Sequence, residues 1–136
     1  MVDNNHNPGD NNLVSILVID DSPIMRGMLT DILTDDGYLV DSAEDGEIGV
    51  AMALKKDYAV IISDVHMPKK NGLETVRDII AAKPYSKIIL TDSFPDKLAT
   101  AAKKEGAACC LQKPFDVNEL RQVIREIHHS GKVSIG

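Results

Sequence analysis

The sequence is short of the residues that hold small secreted domains and zinc sites together. It contains two cysteines, Cys109 and Cys110, and no tryptophan. Consecutive residues of a strand point to opposite faces of a sheet, and one adjacent pair is too few for a disulfide framework or a zinc site. We therefore predict that both cysteines act as small hydrophobic residues of the core.

Long apolar runs and clusters of positive charge are also missing. No stretch approaches the roughly 18 apolar residues of a membrane span, and the first residues lack the pattern of a signal peptide. The formal net charge is -6, and the lysines and arginines are scattered, whereas binding to phosphates requires them to cluster. We expect a cytoplasmic protein with no membrane insertion and no direct nucleic-acid contact.

The length of 136 residues fits one domain with a real core. Residues 1–12 are rich in Asn, Asp, Gly and Pro, so we predict a flexible N-terminal tail. Residues 130–136 predict a C-terminal tail of similar character. The folded domain is therefore expected to cover residues 13–129, and no pattern indicates a second domain.

Apolar runs alternate with helical patterns along this domain. The runs are too apolar for a solvated face and indicate strands buried on both sides: Leu13–Ile19, Tyr38–Ser42, Ala59–Ser63, Lys87–Leu90 and Ala108–Leu111. Helices are predicted from Pro23, after Ser22 as N-cap, to Gly37, then over Gly46–Lys55, Gly72–Ala82 and Asp96–Glu105, and after an Asp116/Glu119 capping box. Five strands alternating with five helices predict an α/β fold with a parallel sheet.

Polar residues stand at the carboxyl ends of four of the five predicted strands. Asp20 and Asp21 follow the first, Asp64 the third, Thr91 the fourth and Lys113 the fifth. In an open parallel sheet these ends share one edge, where ligands bind at the point of strand-order reversal. With the order 2-1-3-4-5 the first and third strands are neighbours, and the three aspartates come together.

Three crowded carboxylates repel one another strongly. At roughly 4 Å and an effective dielectric near 20, each pair costs about 4 kcal/mol, which one lysine offsets only in part. A divalent cation is the natural remedy, and Mg²⁺ suits carboxylate oxygens while leaving positions for phosphate oxygens. Cation, lysine and hydroxyl together would stabilise charge on a transferring phosphoryl group.

Four stretches resemble the receiver domain of two-component response regulators. They are ILVIDDSP (Ile16–Pro23), ISDVHMPKKNG (Ile62–Gly72), IILTDS (Ile88–Ser93) and GAACCLQKPF (Gly106–Phe115). The resemblance covers nearly all of Leu13 to His129. It implies a flavodoxin-like fold, a doubly wound five-stranded parallel sheet of order 2-1-3-4-5 with five helices.

The resemblance also implies roles for the residues at the edge of the sheet. Asp64 would be the phosphoacceptor, receiving the group from a histidine kinase or phosphotransfer protein, and the product would signal to another protein. Mg²⁺ would be held by Asp21, Asp64 and the backbone carbonyl of His66, with Asp20 acting largely through water. Thr91 would hydrogen-bond the phosphoryl oxygens. Lys113 would pair with those oxygens and precede a cis peptide bond.

Two positions depart from the family pattern. Family members usually carry an aromatic residue where this sequence has Cys110 and a small residue where it has Asp92. These two positions normally let the aromatic ring swing inward when the threonine moves. The departures favour a second interpretation, an interaction module that no longer signals by phosphate.

A third interpretation is a phosphohydrolase of the haloacid dehalogenase type, which also uses a strand-end aspartate and magnesium. That family requires a second aspartate two residues after its nucleophile. Here Ser22 follows Asp20 by two residues and His66 follows Asp64 by two, so the motif fails at both places. A receiver catalyses only its own modification, and we do not expect a conventional enzyme.

Overall fold

A computed structural model describes residues 14–93 and 97–133. Five strands alternate with five helices along these ranges. The strands are β1 (Ser15–Ile19), β2 (Leu39–Ala43), β3 (Val60–Asp64), β4 (Ile88–Asp92) and β5 (Cys109–Gln112). The helices are α1 (Pro23–Asp35), α2 (Gly46–Lys55), α3 (Gly72–Ala82), α4 (Lys97–Lys104) and α5 (Val117–Val133).

The strands form one parallel sheet in the order β2-β1-β3-β4-β5. This is the predicted flavodoxin-like arrangement, and strand order reverses between β1 and β3. Both faces of the sheet are covered. One core lies between the sheet and α2, α3 and α4, and the other lies between the sheet and α1 and α5. Every residue of the central strands β3 and β4 is therefore buried.

Strand ends differ from the prediction because hydrogen bonding, not hydrophobicity, ends a strand. β3 runs on to Asp64 and β4 to Asp92, one and two residues beyond the apolar runs. Asp64 pairs with Thr91 in register, and the Val65 N–H donates to the Thr91 carbonyl at 3.0 Å. Asp64 and Thr91 of the predicted site thus belong to the sheet itself.

The last helix also extends further than the sequence indicates. It continues to Val133, so residues 130–133 are helical where the predicted C-terminal tail would begin. A helix needs only its backbone hydrogen bonds to continue, and no proline interrupts them there. The predicted N-terminal tail and Asp96, the predicted start of α4, lie outside the described residues.

The two cysteines pack on opposite faces, as predicted. Cys110 packs against the core beside α4, and Cys109 packs against the core beside α5. Both are only half-buried, because β5 is an edge strand. In the part of the chain that the structure describes, no helix has the length and apolar character needed to span a bilayer.

Two glycines give a matched test of this packing. A Cβ on Gly72 would lie 2.7 Å from Val65 Cα and 2.9 Å from the Asp64 carbonyl oxygen, whereas a Cβ on Gly27, within α1, would meet nothing within 4 Å. We expect Gly72→Ala to destabilise the protein by about 2 kcal/mol or more, since backbone must shift. Gly27→Ala should stabilise it by roughly 0.5–1 kcal/mol. Urea unfolding measures both, and equal effects would contradict this packing.

Candidate functional site

The predicted site residues converge at the carboxyl edge of the sheet, beside the reversal of strand order. Asp20 directly follows β1, and Asp64 is the last residue of the neighbouring β3. Thr91 is the register partner of Asp64 on β4. Lys113 follows β5, and its N–H donates to the Asp92 carbonyl at 2.7 Å. Four strands therefore place their polar ends around one small volume.

Asp20, Asp21 and Asp64 form an acidic cluster. One carboxylate oxygen from each lies within 4.8 Å of the others. Asp20 and Asp64 are buried, whereas Asp21 is exposed to solvent. Hard oxygen ligands this close together suit Mg²⁺ or Ca²⁺ rather than a metal that prefers sulfur or nitrogen. The donor set therefore fits the predicted cation.

The start of α1 fixes Asp20. Its Oδ1 accepts a hydrogen bond from the Ser22 N–H at 2.9 Å, and its carbonyl accepts one from Arg26 Nη1 at 2.7 Å. Ser22 in turn caps the helix, since its Oγ accepts from the Met25 N–H at 3.2 Å. The predicted Ser22 cap therefore does two things: it begins the helix and holds a buried carboxylate at the site.

Lys113 supplies the positive charge inside the site. Its Nζ lies 3.1 Å from Asp20 Oδ2 and 3.5 Å from Asp64 Oδ1, and the Lys113–Pro114 bond is cis, as the resemblance implies. Burial lowers the pKa of the ammonium, but the hydrogen bond and charge of Asp20, together with Asp64, outweigh it and raise the pKa above its ordinary value. Lys113 therefore stays charged.

Asp64 is less easily ionised than an ordinary aspartate. Burial is the largest cause and the charge of Asp20 the second, while Lys113 acts in the opposite direction; together they raise the pKa of Asp64 to about 6. Its Oδ1 also accepts from the Val65 N–H at 3.0 Å. The carboxylate is thus held in an environment that favours any change neutralising its charge.

Thr91 completes the site with a buried hydroxyl group. The residue is 1% exposed, and among residues 14–93 and 97–133 its Oγ1 finds no hydrogen-bond acceptor or donor. A buried hydroxyl left unpaired costs stability. Its position beside Asp64 therefore points to a polar ligand that would satisfy it.

The loop between β3 and α3 follows directly after Asp64. The Gly72 N–H donates to the Val65 carbonyl at 2.7 Å, and Asn71 and Glu74 form a reciprocal capping box at the start of α3. Lys69 has a positive φ of 68°. The Asn-x-x-Glu spacing could have revealed this capping box from the sequence.

No sequence pattern predicts the contact between His66 and Asp92. His66 Nε2 lies 3.6 Å from Asp92 Oδ1, and Asp92 is buried. The two residues are 26 positions apart, and the pairing of β3 with β4 together with the course of the loop after β3 brings them into contact. The backbone carbonyl of His66 as a cation ligand stays a prediction.

Fold and site together define a doubly wound α/β protein with an acidic centre at the reversal point of its sheet. The model of the response regulator receiver domain matches residues 16–125. The chain therefore belongs to the response regulator receiver domain family.

Proteins of known sequence or structure are similar to this chain over most of its length. The chain is 33% identical over 118 residues to the probable chemotaxis protein CheY of Rhizobium etli, covering 84% of this chain and 92% of that protein. It is 35% identical over 114 residues to the transcriptional regulatory protein HprR of Escherichia coli, covering 82% of this chain but only half of HprR. The crystal structure of TrrA from Thermotoga maritima in complex with Mg(2+)-BeF is similar, with a TM-score of 0.78 and 31% identity over 84% of this chain and 98% of that one.

The raised pKa of Asp64 predicts a pH dependence of stability. Because the folded pKa of about 6 exceeds the ordinary 3.8, the folded state holds the proton more tightly, and Asp64 destabilises the fold increasingly as pH rises from 4 to 6. Asp64→Asn removes this penalty. The stability difference between the variant and the metal-free wild type should therefore grow by up to about 3 kcal/mol from pH 4 to pH 7.

Urea unfolding at each pH, with a chelator present, measures this difference. Asp31→Asn is the control, because Asp31 is exposed on α1. If the stability difference between Asp64→Asn and the wild type stays constant with pH, or shrinks as pH rises, the pKa of Asp64 is not raised by burial and Asp20.

Proposed function

We propose that this receiver domain accepts a phosphoryl group on Asp64 from a histidine kinase or a phosphotransfer protein, with Mg²⁺ present, and then signals by contacting another protein. The observation that carries the proposal is that Asp64 has the Lys113 ammonium at 3.5 Å and Thr91 as its register partner, whose buried hydroxyl has no hydrogen-bond partner among the residues that the structure describes. The cytoplasmic location expected from the sequence is part of the same proposal.

The transfer needs a nucleophile and charge compensation. A carboxylate oxygen of Asp64 forms a bond to phosphorus, and the bond between phosphorus and the donor's imidazole nitrogen breaks, with the electron pair leaving on that nitrogen. The reaction exchanges a crowded carboxylate for an acyl phosphate whose charge lies on the phosphoryl oxygens. Lys113 would pair with one oxygen, and the Thr91 hydroxyl would donate to another.

Mg²⁺ would be held by Asp21 and Asp64, with the His66 carbonyl as a further ligand and Asp20 acting largely through water. When bound, the cation neutralises charge on the carboxylates and on the phosphoryl oxygens. Two observations support this division. Both oxygens of Asp20 already accept hydrogen bonds, from Ser22 and Lys113, whereas Asp21 is exposed and open to a cation from solvent.

The proposed transfer requires two kinds of protein partner. A donor with a phosphorylated histidine must reach Asp64, and a target must distinguish the modified from the unmodified protein. The structure of a CheX-CheY-BeF3-Mg+2 complex from Borrelia burgdorferi, 24% identical to this chain, joins a CheY protein with a partner.

Magnesium should stabilise the folded protein. Binding to the folded state alone adds RT ln(1 + [Mg²⁺]/Kd), about 2.7 kcal/mol at a hundredfold excess over Kd. Asp21→Asn should blunt the gain, because it removes an oxygen ligand and a negative charge. Thermal melts with and without millimolar MgCl₂ at constant ionic strength test this, with Asp31→Asn as the charge-matched control. Identical melting curves for the wild type would remove the cation from the proposal.

Asp64 should take up one phosphoryl group from acetyl phosphate or from a histidine kinase in the presence of Mg²⁺. Asp64→Asn should take up none, because an amide is a poor nucleophile, and Asp31→Asn should label normally. Lys113→Ala should slow labelling without weakening Mg²⁺ binding, since an ammonium attracts the phosphoryl group and repels the cation. Intact-mass measurement reads out each variant.

Three outcomes would reject the proposal. Labelling that persists in Asp64→Asn would show that the acceptor lies elsewhere. A wild type that is folded and binds Mg²⁺ but never labels would favour an interaction module without phosphate signalling. Steady release of phosphate from a small ester, beyond one equivalent, would favour a phosphohydrolase.

A further inference from the structure

His66 and Asp92 form a contact beside the phosphoacceptor that the proposed chemistry does not use. The His66 side chain is 50% exposed, whereas the Asp92 side chain is 1% exposed, and His66 Nε2 lies 3.6 Å from Asp92 Oδ1. A carboxylate only accepts hydrogen bonds, so the contact is favourable when Nε2 carries a proton. The half-exposed imidazole of His66 therefore lies beside the buried carboxylate of Asp92.

The position of this donor allows it to reach Asp64. His66 is two residues beyond Asp64, which ends β3, and Asp92 ends the neighbouring β4. Adjacent strands are about 4.8 Å apart. The imidazole must therefore move by about one strand spacing to pass from Asp92 to the Asp64 carboxylate. A change of the His66 rotamer can supply that movement, because His66 lies in the loop beyond the strand end.

We infer that His66 is a further phosphoryl-binding residue and that Asp92 is a positioning residue, which holds the imidazole away from Asp64 until Asp64 is modified. The inference rests on the proposed function and deepens it. A phosphoryl group brings close to two negative charges and three acceptor oxygens, so it attracts Nε2 more strongly than the single carboxylate of Asp92. Asp92 and the phosphoryl group therefore compete for one donor.

The competition gives each residue an opposite effect on phosphoryl binding. His66 adds a donor to the modified state, and Asp92 stabilises the unmodified state through the same donor. A ligand shifts a two-state equilibrium only by its different affinity for the two states. Losing His66 should therefore weaken binding of a phosphoryl mimic, and losing the charge of Asp92 should strengthen it, but only while His66 is present.

The test is a double-mutant cycle with beryllofluoride, titrated at one pH in constant excess Mg²⁺ and followed by calorimetry. We expect His66→Ala to raise the Kd about threefold to tenfold, the cost of a lost hydrogen bond. Asp92→Asn, which keeps the shape and removes the charge, should lower the Kd about threefold. In the His66→Ala background Asp92→Asn should change nothing.

Two further measurements separate this role from a structural one. His66→Gln should recover part of the lost affinity, because its amide still donates, and it also serves if His66→Ala folds poorly. Asp31→Asn, which removes an exposed charge on α1 outside the site, should bind beryllofluoride with the Kd of the wild type.

The outcomes distinguish this inference from the function on which it rests. If the wild type fails to bind beryllofluoride in an Asp64-dependent way, the proposed function fails and the inference fails with it. If the wild type binds and His66→Ala binds equally well, only the inference is overturned. If Asp92→Asn lowers the Kd by the same factor with and without His66, Asp92 acts only by charge repulsion, and the inference is overturned too.

Discussion

Repulsion among three carboxylates is the interaction around which this protein is organised. Asp20, Asp21 and Asp64 bring oxygens within 4.8 Å of one another, and at an effective dielectric near 20 each close pair costs about 4 kcal/mol. Lys113 offsets part of this cost from 3.1 and 3.5 Å. Burial, together with the remaining repulsion from Asp20, leaves Asp64 with a raised pKa, so its carboxylate gains stability from any cation or covalent change that removes its charge.

The rest of the fold prevents the carboxylates from moving apart. Register pairing of β1 with β3 sets the distance between the strands that carry Asp20 and Asp64. Ser22 fixes the side chain of Asp20 at the start of α1, and the close approach of Gly72 to the β3 backbone holds the following loop down. Separating the ends of β1 and β3 would break ladder hydrogen bonds between these strands, so the carboxylates stay close together.

Much of the fold and of the site could be predicted from the sequence, because strands buried on both faces are short continuous apolar runs and helices begin at capping residues. The bounds of α2 and α3 and the convergence of Asp64, Thr91 and Lys113 follow from such patterns. The extension of β3 to Asp64 and of β4 to Asp92 did not follow from these patterns, since both aspartates continue the hydrogen-bond ladder beyond the last apolar residue. The contact of His66 with Asp92 could not be predicted at all, because it depends on loop geometry and not on spacing.

The ionisation of Asp64 tests the central claim most directly. Carbon-13 NMR of the aspartate carboxyl groups, assigned by comparison with Asp64→Asn, follows this ionisation as pH changes. Without metal the account predicts a midpoint near the pKa of about 6 that burial and Asp20 impose. With saturating Mg²⁺ the midpoint should fall below the ordinary value, because a bound cation favours the charged form. A midpoint near 4 that Mg²⁺ does not move would show that Asp64 is neither crowded nor positioned to bind the cation.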